Sequence, residues 1–164
     1  MKLTKTNKSL NGTSYHGHVI KTTYNNLVKA FGPSHQDDGG YKTNHEWLLN
    51  SYEGTPFSIY DWKEIVSPEQ YPDLEFEWHI GAFTSEDSLN AQVQVCAYLD
   101  SIAEAEHEDR LNYLLGYISD PDEAARYADM NPSNWPDGIP TENDPWKDNG
   151  PEFDSAGYSI ADRN

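Results

Sequence analysis

The chain is 164 residues long, room for one domain or for one domain with a tail. It holds 28 acidic and 11 basic residues, a formal net charge of −17 at pH 7, which disfavours direct nucleic-acid binding and adhesion to anionic membranes, since both need positive surface. Cys96 is the single cysteine, so no intramolecular disulfide and no multi-cysteine zinc site can form, and no run of about 18 apolar residues marks a membrane span.

The charge is unevenly spread: residues 1–30 carry net +5, residues 31–99 net −10 and residues 100–164 net −12. Residues 1–20 are rich in Lys, Thr, Ser and Asn and are expected to form a flexible basic arm. Met1–Leu10 lacks an apolar core, so no secretory signal is expected and a soluble cytoplasmic protein is the default. His16 and His18 form an H-x-H pair, but a metal site needs a third ligand, and the pair is read as part of the polar arm. A helix is predicted over residues 22–31, capped by Thr22 or Thr23, with Tyr24, Leu27, Val28 and Phe31 on one stripe and Gly32-Pro33 ending it. Asp37-Asp38-Gly39-Gly40 reads as a loop without the ligand spacing of a calcium site.

Three strands are predicted next. A hairpin pairs residues 45–52 with 56–62 around the turn Glu53-Gly54-Thr55, and a third strand covers residues 74–80. Leu74, Phe76, Trp78 and Ile80 alternate with Glu75, Glu77 and His79, the period of a strand with one buried and one wet face. Phe57 and Ile59 face one way, Tyr60 and Trp62 the other, and Trp47, Trp62 and Trp78 are read as core rather than as a stacking platform.

A helix is expected over residues 86–103, with Leu89, Val93, Cys96 and Ala97 as the stripe that lids the sheet, which makes Cys96 a buried, inert thiol. A second helix is expected over residues 107–118. A third is expected over residues 121–129, with Asp120 as its cap and Pro121 at its first position. From residue 131 to 164 the prolines and acids leave no period, and a Pro-rich acidic tail is expected, in which Trp135 and Trp146 can pin the segment to its own domain or to a partner. The fold class that follows is α+β: a small antiparallel sheet of about three strands or more packed by helices, spanning residues 21–130, with an acidic helical C-terminal part and an irregular tail.

The series Leu27-x-x-Ala-Phe31-Gly32-Pro33, Tyr41-Lys42, Glu46-Trp47, Ile59-Tyr60-Asp61-Trp62-Lys63 and Trp78-His79-Ile80-Gly81 resembles a group of small bacteriophage proteins of unknown function, over about residues 24–83. Glu53-Gly54-Thr55 stands where that group has Asp-Gly-Thr, and Ala82 replaces a glycine. The resemblance implies a phage origin and a small α+β domain, and residence in the host cytoplasm is the expectation. It implies no activity.

No nucleophile elbow, phosphate-binding loop, dinucleotide fingerprint or zincin helix is present. Asp61, Glu75, Glu77 and His79 are able to form an acid–base cluster, but Glu75, Glu77 and His79 read more simply as the solvent side of a strand. No enzymatic activity, cofactor or metal is therefore expected. The reading favoured is an acidic inhibitor that binds a basic surface on a host nucleic-acid-handling or defence protein, as a mimic of nucleic-acid charge. The residues expected to carry it are Glu104, Glu106, Glu108, Asp109, Asp120, Asp122, Glu123, Trp135 and Trp146. A ligand-binding module on the aromatic sheet, or a virion or assembly component, is the alternative.

Overall fold

The computed structural model describes residues 3–35, 43–63 and 66–140. The elements run β1 (Thr4–Lys5), β2 (Ser14–Thr23), α1 (Tyr24–Phe31), β3 (Glu46–Asn50), β4 (Pro56–Tyr60), β5 (Glu75–Ala82), α2 (Ser85–Leu114) and α3 (Pro121–Ala128). The five strands form one open antiparallel sheet in the order β1-β3-β4-β5-β2, so the protein is α+β. It divides into two compact units, Met1–Leu99 and Asp100–Asn164. The calcium-like loop Asp37–Gly40, the motif pair Tyr41-Lys42 and Trp146 lie outside the described residues.

In the first unit the predicted hairpin forms with Trp47 opposite Ile59 and Leu49 opposite Phe57. Ile59 in turn faces Ile80 on β5, and Trp78 faces Ile20 on β2. All six of these core residues from β3, β4 and β5, with Ile20, are at most 2 % exposed and share the inner face of the sheet. Gly54 turns the hairpin at φ 84°, a conformation a Cβ disfavours. Leu27 and Phe31 of α1 and Ala91 and Val95 of α2 close over that face. α1 begins as expected, with the Thr23 side chain accepting from Asn26 N at 3.1 Å.

Trp47 and Trp78 meet edge to face with ring centroids 5.3 Å apart. Both indole N–H groups are satisfied inside the core: Trp47 donates to Gly32 O at 2.8 Å, at the end of α1, and Trp78 to Thr22 O at 3.0 Å, on β2. The pair therefore fixes one helix end and one edge strand to the sheet as well as filling its middle.

Several expectations need correction. Of the arm expected over residues 1–20, the described part, residues 3–20, is not loose, because Thr4–Lys5 pairs with β3 and Ser14–Thr23 pairs with β5. Its composition is polar because only alternate residues, Ile20 and Thr22, point inward, while Lys21 reaches Glu77 at 3.1 Å on the other side. The two helices expected over 86–103 and 107–118 are one helix, α2, since residues 103–107 contain neither Gly nor Pro to break it.

The stripe expected to lid the sheet is the wrong face of α2: Leu89 and Val93 are exposed, and so is Cys96. The small side chains of Ser88 and Ala91, with Val95, let the backbone approach the large rings instead. Gln94, beside them, accepts from Tyr52 N at 2.8 Å and donates to Glu53 at 2.9 Å, so a polar residue serves as the anchor. Trp62, the fourth correction, is 39 % exposed and lies outside the core.

The second unit has its own small core of Leu114, Ala124, Ala128 and Trp135, with Leu111, Tyr113 and Ile118 packed against it. Asp120 caps α3 as expected, accepting from Asp122 N and Glu123 N. The chain does not become irregular at residue 131: Pro132–Asn134 makes a 3-10 turn, and Trp135 is buried with its indole donating to Tyr127 O at 2.9 Å.

Replacing Trp78 by Ala empties a fully buried site between sheet and helices and leaves the Thr22 carbonyl without its donor. A loss of about 3–5 kcal/mol is expected in denaturant unfolding of the variant. An unchanged midpoint contradicts the placement of Trp78 at the centre of the core.

Candidate functional site

Both helices of the first unit pack on the inner face of the sheet. The strand pleat sends Glu46, Ser58, Tyr60, His79 and Gly81 to the outer face, where Glu46 stands opposite Tyr60, Tyr60 opposite His79 and Ser58 opposite Gly81. Gly81 is the floor. A Cβ built there would stand 2.8 Å from Ser58 Oγ, 3.3 Å from a ring carbon of Tyr60 and 3.8 Å from Thr13 Oγ1, so the hollow exists because the residue has no side chain. The result is a cleft of about 210 Å³ lined by Thr13, Thr43, Glu46, Ser58, Tyr60 and Trp62 among others.

Rings extend the cleft on both sides. Tyr15 stacks on His79 at 4.4 Å, His79 meets Tyr60 edge to face at 5.7 Å, and Tyr60 meets Trp62 edge to face at 6.3 Å. Four rings in series thus run across the outer face. Lys63 Nζ sits 5.6 Å from the centroid of the Trp62 ring, so that ring already attracts a cation from its own chain. The Tyr60 hydroxyl is held above its ordinary pKa, first by burial and then by the negative charge of Glu46 and by Tyr15.

The cleft stands on a buried polar base. Asp61 is fully buried and accepts from Asn44 N and Nδ2, both at 2.8 Å, and from His45 N at 2.7 Å. These bonds fix the segment that enters β3 just before Glu46. The His45 ring, 1 % exposed, lies between two hydroxyls, Ser34 Oγ at 2.8 Å from Nδ1 and Ser67 Oγ at 3.3 Å from Nε2. Each hydroxyl can donate or accept, so the neutral imidazole is satisfied in either tautomer.

The acid–base cluster is not assembled: the Asp61 oxygens are committed to Asn44 and His45, Glu75 is exposed, Glu77 pairs with Lys21, and His79 stacks on Tyr15. His16 Nε2 lies 3.2 Å from Ser14 Oγ and 3.1 Å from Ala82 O. Among the described residues no three metal-ligating side chains gather.

The residues expected to meet a partner fall in the second unit. Glu104, Glu108 and Asp109 are exposed on α2, and Glu106 is half-buried. Asp120, Asp122 and Glu123 are exposed at the start of α3, where Asp120 is also the cap and Glu123 lies 3.7 Å from Arg126. Trp135 is committed to its own core and offers no contact surface. Sequence reasoning missed Glu46, Ser58, Thr13, Tyr15 and Gly81 as a group. The outward pairing of Tyr60 with Trp62 was the available signal; Tyr15 and Thr13 were hidden by the unrecognised β2.

Burial lowers the His45 pKa below its ordinary 6.5, against the opposing pull of Asp61 and Glu69. Above pH 6.5 the ring is neutral folded or unfolded. Below it the unfolded chain takes up a proton that the folded chain refuses, so stability falls with pH from about 6.5 downward. Thermal melts should show a steeper loss between about pH 6.5 and 5 for the wild type than for His45→Asn, starting from the unfolded-state pKa; parallel curves contradict it.

Compared with known proteins, the chain matches no family model, no curated protein and no solved structure.

Proposed function

We propose that this protein acts by binding, as a phage-type acidic inhibitor that docks its outer sheet face on a basic surface of a host nucleic-acid-handling or defence protein. The observation that carries the reading is the cleft itself: the carboxylate of Glu46, the rings of Tyr60 and Trp62 and the hydroxyls of Thr13 and Ser58 line one hollow. A guanidinium is planar, stacks on rings and forks onto a carboxylate, so an arginine side chain is complementary to a lining of this composition. A phosphate or nucleobase-phosphate ligand meets the opposite situation, a carboxylate at the site in a chain of net charge −17.

The exposed acids of the second unit have a different role in this reading. On α2, Asp100, Glu104 and Glu108 follow four residues apart, a step of about 6 Å along one stripe. Duplex DNA carries one charge per about 1.7 Å of axis. The stripe is thus several times sparser than a duplex, which suits long-range attraction of a basic partner better than replacement of nucleic acid in a groove. Attraction of that kind raises the association rate and is screened beyond about 8 Å at physiological ionic strength.

Capture from bacterial lysate on the tagged chain, with identification by mass spectrometry, should recover a protein with a basic nucleic-acid-binding surface. Trp62→Ala combined with Glu46→Gln should weaken that complex by about 30-fold or more, the loss typical of an aromatic and charged anchor. Reversing Glu104, Glu108 and Asp109 to Lys should slow association and flatten its salt dependence while leaving dissociation unchanged. Equal binding by the cleft variant contradicts the docking face, and an unchanged association rate contradicts the steering role.

A further inference from the structure

The cleft on the outer face owes its depth to one missing side chain. Gly81 stands opposite Ser58 in the ladder, and a Cβ there would lie 2.8 Å from Ser58 Oγ and 3.3 Å from the Tyr60 ring. Gly81 is not one of the glycines with positive φ, so its backbone suits other residues, and what the glycine supplies is space. That space is small. About 210 Å³ falls below the ~300–1,000 Å³ of sites that enclose a whole drug-sized ligand, and it suits the end of one side chain.

The lining calls for a donor. Thr13 Oγ1 gives its proton to Leu10 O at 2.9 Å, so towards the cleft it can only accept. The Glu46 carboxylate accepts as well. The rings of Tyr60 and Trp62 stand at 75° to one another with centroids 6.3 Å apart, so a flat group laid on one turns its edge to the other. Among the side chains that stay charged at neutral pH, the guanidinium of arginine alone is flat, cationic and a donor without acceptors.

We propose that the cleft is a socket for a single arginine side chain of the partner, taken in preference to lysine, and that Gly81 sets this preference by keeping the floor open. The proposal rests on the outer face being the docking surface, and it narrows the partner from a basic surface to one with a projecting arginine. A lysine ammonium is a compact, strongly hydrated point charge that neither lies flat on a ring nor forks onto a carboxylate. Against Trp62 it would also duplicate what is there, since Lys63 Nζ already stands 5.6 Å from the centroid of that ring.

NMR titration of the isotope-labelled full chain with N-acetyl-L-arginine amide, and in parallel with N-acetyl-L-lysine amide, tests the socket. Both probes carry one positive charge, so the attraction of a chain of net charge −17 is common to them and only the local fit differs. The arginine probe should bind in the millimolar range and move the signals of the Trp62 indole and the Gly81 amide, and the lysine probe should bind at least about fivefold more weakly. Gly81→Ala should weaken the arginine probe by about tenfold or more, the usual effect of one added carbon in a small pocket. Its methyl collides with Ser58 Oγ, so Gly81→Ala combined with Ser58→Ala removes the collision while the floor stays filled; that variant should fold and still refuse arginine. Lys63→Gln should tighten arginine binding, because it removes the cation that competes for Trp62. Equal affinity for the two probes overturns the proposal. So do undiminished binding by the folded double variant, weaker binding by Lys63→Gln, or shifts confined to residues outside the cleft. The docking surface itself fails separately, when the complex captured from lysate ignores Trp62→Ala with Glu46→Gln.

Discussion

The contact on which the first unit depends is the edge-to-face meeting of Trp47 and Trp78. The rings fill the space between sheet and helices, and their N–H groups tie a helix end and the edge strand β2 to that core. Trp47 holds the end of α1 through Gly32 O, and Trp78 holds β2 through Thr22 O. A buried indole N–H without an acceptor is destabilising, so each ring specifies a place for a backbone carbonyl as well as a volume. The small face of α2 follows from the same rings: Ser88 and Ala91 approach because something large already occupies the middle.

The choice of inner face also decides what the outer face becomes. With the large rings turned inward on β3 and β5, the alternate positions carry Glu46, Ser58, Tyr60, His79 and Gly81 outward. The buried bonds of Asp61 to Asn44 and His45 set the approach to β3, and so the position of Glu46. The cleft is thus a by-product of core packing that is held in place by a polar network beneath it. Its lining, one carboxylate with the rings of Tyr60 and Trp62, is suited to a cation.

Sequence reasoning read the hairpin, β5, α1 and the cap of α3 well because each has a strong local signal: alternation over Phe76–Ile80, Gly54 at the turn, Thr23 and Asp120 before helices; Leu74, expected on the buried face, instead precedes β5 and is 54 % exposed. It failed on β2 because a strand that buries only Ile20 and Thr22 has nearly the composition of a polar arm. It failed on α2 because hydrophobicity alone picks Leu89, Val93 and Cys96, whereas the sheet selects for small residues and recruits Gln92 and Gln94 as anchors. The cleft was legible only in part. Tyr60 and Trp62 were read as sharing a face, but the neighbours that make a hollow of it depend on strand order, and above all on the lack of a side chain at Gly81.

The central claim is that the outer face of the sheet is the surface that meets a partner, and side-chain footprinting of the complex tests it most directly. Hydroxyl radicals label exposed rings, and the free protein offers Tyr15, Trp62, Tyr71 and Tyr117 at 46 %, 39 %, 52 % and 52 % exposure. In the complex recovered from lysate, Tyr15 and Trp62 should lose labelling while Tyr71 and Tyr117 keep theirs. Protection of Tyr71 or Tyr117 with Tyr15 and Trp62 still labelled would contradict the account.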